Sequence, residues 1–343
     1  MKKLLNTLFV THEDAYLSKE GENVVIRADK ITLGRFPIHI LDSILCFSYV
    51  GISPALMKLC NEHHVLVSFL TPQGRFCARF VGVENGNVLL RRQQYRIADK
   101  EAAIEYVRNI VYAKGLNSKR VLARTLRDNA KDVDTARIQV VMREIDSALE
   151  RIKNAGSIDS LRGEEGLMAK RYFDVFDEMI LQQRKDFYFV GRNRRPPQDP
   201  VNALLSFFYM LLCQDCMSGL EAVGLDPYVG FLHVDRPGRV SLALDLMEEL
   251  RAFICDRSVL SMINLKIISM KDFEFKENGA VLLKEKSRNK ALEYWQKQKQ
   301  IEITHPFLQE KIQRGLLPYV QAMLMSRTIR GDLDSYPPFV MRA

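Results

Sequence analysis

Histidine is scarce in this chain, six in 343 residues, and cysteine is no commoner. Six cysteines spread over such a length form no dense framework, which argues against a disulfide-stapled secreted scaffold and for reduced thiols. Cys213 and Cys216 make a lone CxxC with no second pair, a weak zinc or redox signal. The opening MKKLLNTLFV holds only a broken apolar run, too short for a secretory core or a membrane span. The expected compartment is therefore the cytoplasm, with no membrane partner. Internal repeats and low-complexity tracts are also lacking.

What remains is a globular composition, 47% hydrophobic, in a chain long enough for two domains. The formal charge of +8 is uneven: residues 1–88 hold nine Lys/Arg against eight Asp/Glu, and residues 89–343 hold 41 against 34. A basic excess of this kind favours a polyanionic partner such as nucleic acid, although charge alone proves little.

Up to residue 88 the apolar period is close to two and turn signals recur. NTLFVT, AYLSKEG, NVVIRAD and HVLVSFLTPQGRFCARFVG read as strands around EGEN and PQG turns. ISPALMKLCNEH reads as one helix, with Ser53 as N-cap and Pro54 at its first position. From about residue 98 strand patterns nearly vanish, and apolar residues recur at three- and four-residue spacing. The expected fold class is α+β: a small β-rich domain over 1–88, a linker over 89–97 and an all-α domain over 98–343.

Within the helical part, winding SIDSLRGEEGLMAKRYFDVFDEMI at 100° per residue sets Glu165 on the face of Leu161, Met168, Ala169, Tyr172 and Phe176. Glu164 faces the solvent edge. A buried carboxylate costs several kcal/mol unless paired, protonated or bound to a cation, so Glu165 requires a partner from elsewhere. An arginine on another helix would serve; so would a metal. Gly163 and Gly166 flank it and leave its backbone open to close approach.

SLALDLMEELRAFICDR, wound from Ser241 as N-cap, is apolar nearly all round except for one seam of Asp245, Glu248, Glu249 and Asp256. Carboxylates crowded without a lysine raise one another's pKa unless a cation neutralises them. His233, just ahead of this helix, completes a set of donors suited to Mg²⁺ or Mn²⁺ rather than structural zinc. A lone histidine equally suits a hydrogen-bonded core position. His12, His39, His63, His64 and His305 have no such acidic neighbourhood as the seam beside His233 and read as structural. DPVNALLSFFYMLLCQDCMSGL reads as a central core helix carrying one polar stripe of Asn202, Ser206, Tyr209, Cys213 and Cys216. Arg184, Lys185, Arg192, Arg194 and Arg195, beside Phe187 and Tyr188, form a basic cluster that can bind DNA phosphates or merely face solvent.

The segments LRGEEGLMAKRYF, NRRPPQDPVNALLSFFYMLL, GLDPYVGFLH, SLALDLMEELR and PYVQAMLMSRTIRGDLDSYPPF resemble, in this order and across essentially the whole chain, the CRISPR-associated integrase, the universal adaptation nuclease that inserts new spacers. The closing segment is similar to the I-C subtype. The resemblance implies Glu165, His233 and Glu248 as catalytic metal ligands, with Asp245 as a secondary candidate. It implies joining of 3′-OH ends of short DNA fragments to a CRISPR repeat by metal-dependent transesterification, alongside nuclease activity on double-stranded and branched DNA. It also implies a homodimer formed through the β domain and a heterohexamer with the small ferredoxin-like second adaptation protein. His233 is open as pure ligand or as proton carrier. The alternatives are a stand-alone repair nuclease acting on branched DNA and a non-catalytic DNA-binding scaffold whose acidic seam is an internal salt-bridge network.

Overall fold

The computed structural model describes residues 6–12, 14–29, 31–47, 51–71, 76–80, 88–193 and 196–342. Two compact units divide the chain: residues 1–85 with 288–301, and residues 86–287 with 302–343.

The first unit is built of two four-stranded sheets. Strands β1 (Asn6–Val10), β2 (Tyr16–Glu20), β3 (Asn23–Ala28), β4 (Ile31–Pro37), β5 (Leu41–Cys46), β6 (Gly51–Ile52), β7 (Leu66–Leu70) and β8 (Phe76–Phe80) order themselves as β1-β5-β7-β8 and β4-β3-β2-β6. Helix α1 (Pro54–Glu62) lies between β6 and β7, and the Ser53 hydroxyl caps it by accepting from Leu56 N at 3.2 Å. Leu17, Val24, Ile44, Leu56 and Val67, drawn from both sheets and α1, are fully buried in one core. The β2–β3 hairpin turns at Gly21, whose φ of +59° is the left-handed conformation glycine adopts without strain. Burial pushes the Cys46 and Cys60 thiols up to about 12 and about 11, so both are small core residues rather than nucleophiles. The PQG turn lies outside the described residues.

The second unit begins with α2 (Val88–Ala98), so the stretch 89–97, read as a linker, is helical. Gln94, fully buried, explains the order there: its amide donates to Asp226 O at 2.8 Å and Val229 O at 2.9 Å. Then follow α3 (Ala103–Asn129), α4 (Thr135–Lys153), α5 (Ile158–Asp174), α6 (Pro200–Ala222), α7 (Ser241–Glu248) and α8 (Arg257–Asn264). Beyond these come the hairpin β9 (Phe273–Phe275) and β10 (Val281–Leu283), helix α9 (Glu285–Lys299), the hairpin β11 (Glu302–Thr304) and β12 (Lys311–Gln313), and α10 (Leu317–Arg330). The expected all-α domain is thus corrected: two short antiparallel hairpins interrupt it, and residues 288–301, which include most of α9, belong to the first unit. A three-residue strand pair is too short to leave a period-two signature in the sequence.

Helix α6 is long and apolar enough to cross a membrane by length and composition, but most of it is buried inside the helical unit. Asp199 caps it by accepting from Asn202 N at 2.8 Å, and Pro200 occupies its first turn. At its other end Gly219 lies against α10, where a Cβ would stand 2.9 Å from Pro318 O.

Candidate active site

Asp245, one turn into α7, organises the loop that precedes the helix. Its Oδ2 accepts from Phe231 N at 2.6 Å and Leu232 N at 2.9 Å, and its Oδ1 from His233 N at 3.0 Å. The same Oδ1 stands 2.6 Å from His233 Nδ1. Charge-assisted bonds from four donors compensate a carboxylate that is fully buried. From α5, Arg162 Nη2 donates to Leu232 O at 2.9 Å and ties the loop down from the other side. The imidazole is thereby oriented with Nε2 toward Glu248 Oε1, 3.8 Å away.

Glu248 closes α7 at 2% exposure among cations. Arg251 Nη1 lies 2.8 Å from Oε1, and Lys114 Nζ, reaching in from α3, lies 2.6 Å from Oε2. Burial alone would push this carboxyl up, but the charges of Arg251, Lys114 and His233 outweigh it and hold it down to about 2. Glu248 is therefore ionised at any working pH. Lys114 also pairs with Glu165 of α5, so two carboxylates from two helices share one ammonium. The partner that Glu165 requires is this lysine. Glu165 is only partly buried, its side chain 22% exposed, and no Cβ added at Gly163 or Gly166 would meet a neighbour, so the face beside it is open. Glu164 is held aside by Arg151 at 2.6 and 2.8 Å.

The acidic seam expected on one regular helix does not persist. Ser241 is the first helical residue rather than the cap, and the backbone widens into a π-turn over Ala252–Asp256. Each added π-turn rotates later residues away from the α-helical phase. Asp256 consequently accepts from Tyr209 OH at 2.7 Å, with its pKa raised to about 6 by burial. Glu249 points the other way, into the C-terminal segment, and burial raises it to about 7.

Among the described residues, no three His, Cys, Asp or Glu side chains form a group that could hold a metal ion as they stand. The reason is visible: the Lys114 ammonium fills the place on which Glu165 and Glu248 converge. The donor set itself suits a hard divalent cation, two carboxylates and one imidazole nitrogen. The imidazole is prepared as a ligating histidine is, with its other nitrogen on a carboxylate.

A family model for "CRISPR associated protein Cas1" matches residues 8–297. The chain belongs to the Cas1 family. A CRISPR-associated endonuclease Cas1 of Chlorobaculum tepidum is 49% identical over 343 residues, covering 100% of both chains. Among solved structures, a casposase bound to its integration product superposes with a TM-score of 0.83 at 22% identity, over 97% of this chain and 93% of that one. A chain of a Cas6-RT-Cas1–Cas2 complex gives 0.82 at 20% identity, over 99% of this chain and 36% of that one. These two show that the Cas1 fold is shared.

In this Cas1 chain the described members of the basic cluster have different surroundings. Arg192 is turned inward: its Nη1 donates to Asn202 Oδ1 and Asn193 O, both at 2.6 Å, and its guanidinium lies 5.3 Å from the Tyr209 ring centre. These contacts give it a structural role in the DNA-free chain. Arg184 spends its guanidinium on Ile180 O at 2.7 Å and Asp132 O at 2.8 Å. Lys185 is exposed, and Arg194 and Arg195 lie outside the described residues. Removing a half-buried, multiply hydrogen-bonded charge is costly. Arg192→Ala is therefore expected to lower the melting temperature by several degrees while DNA affinity per folded molecule, measured by anisotropy, stays within twofold. A fall in affinity without a change in melting would assign Arg192 to the nucleic acid after all.

The polar stripe on α6 is explained by the same contacts. Asn202 and Ser206 receive Arg192, and Tyr209 binds Asp256. The Cys213 thiol is pushed up to about 11 by burial and Cys216 further still, so neither is a ready metal or redox thiol.

Gly230 decides whether the His233 loop fits. A Cβ there would stand 2.7 Å from Ser241 Cβ and 2.9 Å from Asp245 Oδ2, neither of which can swing aside. Gly230→Ala is expected to displace the loop from Asp245 and to cut strand joining about 10–100-fold, as loss of a ligand's supporting shell does. Wild-type joining rates in that variant would show that the loop tolerates the shift.

Two residues of the site escape a local reading. Lys114 had a signal, since it winds onto the same face of α3 as Val107, Ile110 and Val121, all fully or nearly buried. Arg251 also had one, three residues after Glu248 on an otherwise apolar helix.

Proposed function

We infer that this Cas1 chain is a metal-dependent integrase and endonuclease of CRISPR adaptation, catalysing phosphodiester transesterification. The observation that carries the reading is the convergence of Glu165 and Glu248 on one cation beside an imidazole whose Nδ1 is held by Asp245. In this reading Glu165, His233 and Glu248 hold Mg²⁺ or Mn²⁺. The ion, when bound, supplies activation of the attacking oxygen and shielding of phosphoryl charge. Asp245, with both oxygens occupied, positions His233 rather than joining the ligands. Glu248, kept ionised, offers its charge without a proton to remove first.

The acceptor is a CRISPR repeat and the nucleophile the 3′-OH of a short DNA fragment; water in its place gives cutting of branched DNA. Joining both ends of one fragment needs two sites at fixed separation, which favours a homodimer formed through the β-rich unit. Two such dimers around the small second adaptation protein make the heterohexamer, with the closing segment favouring subtype I-C and the cytoplasm as the place of action. The test is joining of a short duplex to a repeat-bearing plasmid, with the small partner present, in Mn²⁺ or EDTA, for wild type and His233→Ala. Metal-dependent joining lost in the variant supports the reading. Cutting without joining favours a repair nuclease, and tight DNA binding without metal-dependent chemistry a scaffold.

A further inference from the structure

We propose that Lys114 is a built-in counter-cation that competes with the divalent ion for Glu165 and Glu248, so that metal enters only by displacing its ammonium. The inference rests on the reading that these carboxylates and His233 hold the ion.

The sequence places this lysine on the apolar face of α3, and the structure leaves it 11% exposed with both carboxylates as partners. The next residue makes the reach possible. Gly115 lets Met168 of α5 pack against α3, where a Cβ would come within 2.6 Å of Met168 Sδ. Two carboxylates that share one ammonium stand within about 5–6 Å of each other. A divalent ion with bonds near 2.1 Å would draw the same oxygens to about 4 Å or less. Ammonium and metal cannot both occupy that space, because their charges repel strongly where water is mostly excluded.

The device has a physical use. Without Lys114, Glu165 and Glu248 would repel across the gap between α5 and α7. Lys114, paired with both, offsets that repulsion and keeps the gap assembled before metal arrives. It lowers metal affinity by the same interaction, since an ion must replace a contact already made.

The experiment titrates the purified full chain with Mn²⁺ alone, reading free Mn²⁺ by electron paramagnetic resonance, and follows thermal unfolding with and without saturating Mn²⁺. Lys114→Met and Lys114→Gln remove the charge, and Lys114→Arg keeps it. The expected result is Mn²⁺ affinity at least tenfold tighter in the Met and Gln variants and no tighter in the Arg variant. Their metal-free forms melt below wild type and gain more from Mn²⁺ than wild type does. Should the Met variant fail to fold, the Gln variant decides. Wild-type or weaker affinity in the uncharged variants, while Glu248→Gln still abolishes binding, overturns the Lys114 inference alone. Mn²⁺ binding that is indifferent to Glu248→Gln overturns the metal reading and this inference with it.

Discussion

Replacing Glu248 by glutamine abolishes strand joining, by about 10³-fold or more, and leaves a folded protein of reduced stability. Glutamine fills the same volume and still accepts from Arg251, 2.8 Å away, but carries no charge. Two consequences follow from one change. A neutral amide is a poor ligand for a hard divalent ion, and it offers nothing to offset the charges on Lys114 and Arg251, so the contribution of the ion to the transition state is lost. The stability cost comes from the depressed pKa: a carboxyl held at about 2 contributes stability above its ordinary value near 4.5, lost as pH falls toward 2. At neutral pH that contribution is about 3 kcal/mol, or roughly 5–10 °C in melting temperature for a unit of this size. The variant is checked by circular dichroism melting and the plasmid joining assay together. Joining at a tenth of the wild-type rate or better would remove Glu248 from the chemistry and leave it a structural ion-pair residue.

Glu249→Ala acts on stability rather than on a reacting atom. The carboxylate accepts from Tyr336 OH at 2.6 Å, Gln321 Nε2 at 3.0 Å and Phe339 N at 2.8 Å. These bonds strap the C-terminal segment over the end of α7, where Asn117 of α3 also donates to Phe339 O at 2.9 Å. Truncation takes the acceptor from the buried Tyr336 hydroxyl and Phe339 N–H, while Gln321 keeps Tyr336 OH and Pro337 O, an expected loss of about 3–5 kcal/mol. The melting temperature falls by about 10 °C, and proteolysis trims the C-terminus first.

The same residue sets a pH dependence. Its carboxyl titrates near 7 in the folded protein against about 4.5 when unfolded, so the folded state keeps a proton that the unfolded state releases. Folding stability therefore declines as pH rises from about 4.5 to 7 and is flat beyond. Comparing wild type with Glu249→Gln in urea at pH 5 and pH 8 isolates this part, since the variant lacks the titrating group. An equal loss of stability in both would show that Glu249 is ionised throughout.

Much of this was legible along the chain. The period-two runs of the first unit became strands because alternate residues such as Leu17, Val24 and Ile26 bury in one core. Ser53–Pro54 started α1, and the winding of α5 set Glu165 toward other helices. The winding of α7 failed at its end because it assumed an unbroken 3.6 period. The α-helix ends at Glu248, which frees Glu249 for the C-terminal segment, and the π-turn that follows takes Asp256 out of the seam. The basic stretch after residue 183 shows a related limit of local reading: a count of arginines does not say which way each guanidinium turns, and Arg192 turned to α6.

The sequence by itself determined the division into a strand-rich and a helical part, the faces of the helices and the residue types from which a divalent site can be made. These follow from local periodicity, which each segment carries alone. Only the tertiary structure decided which carboxylate met which donor. Asp245 and Glu248 lie three residues apart on one helix, yet one is consumed by a loop and a ring nitrogen and the other faces Arg251 and Lys114. Arg251 is three residues from Glu248, but the other partners lie 12 to 134 residues away, so no reading of the helix alone could contain the difference.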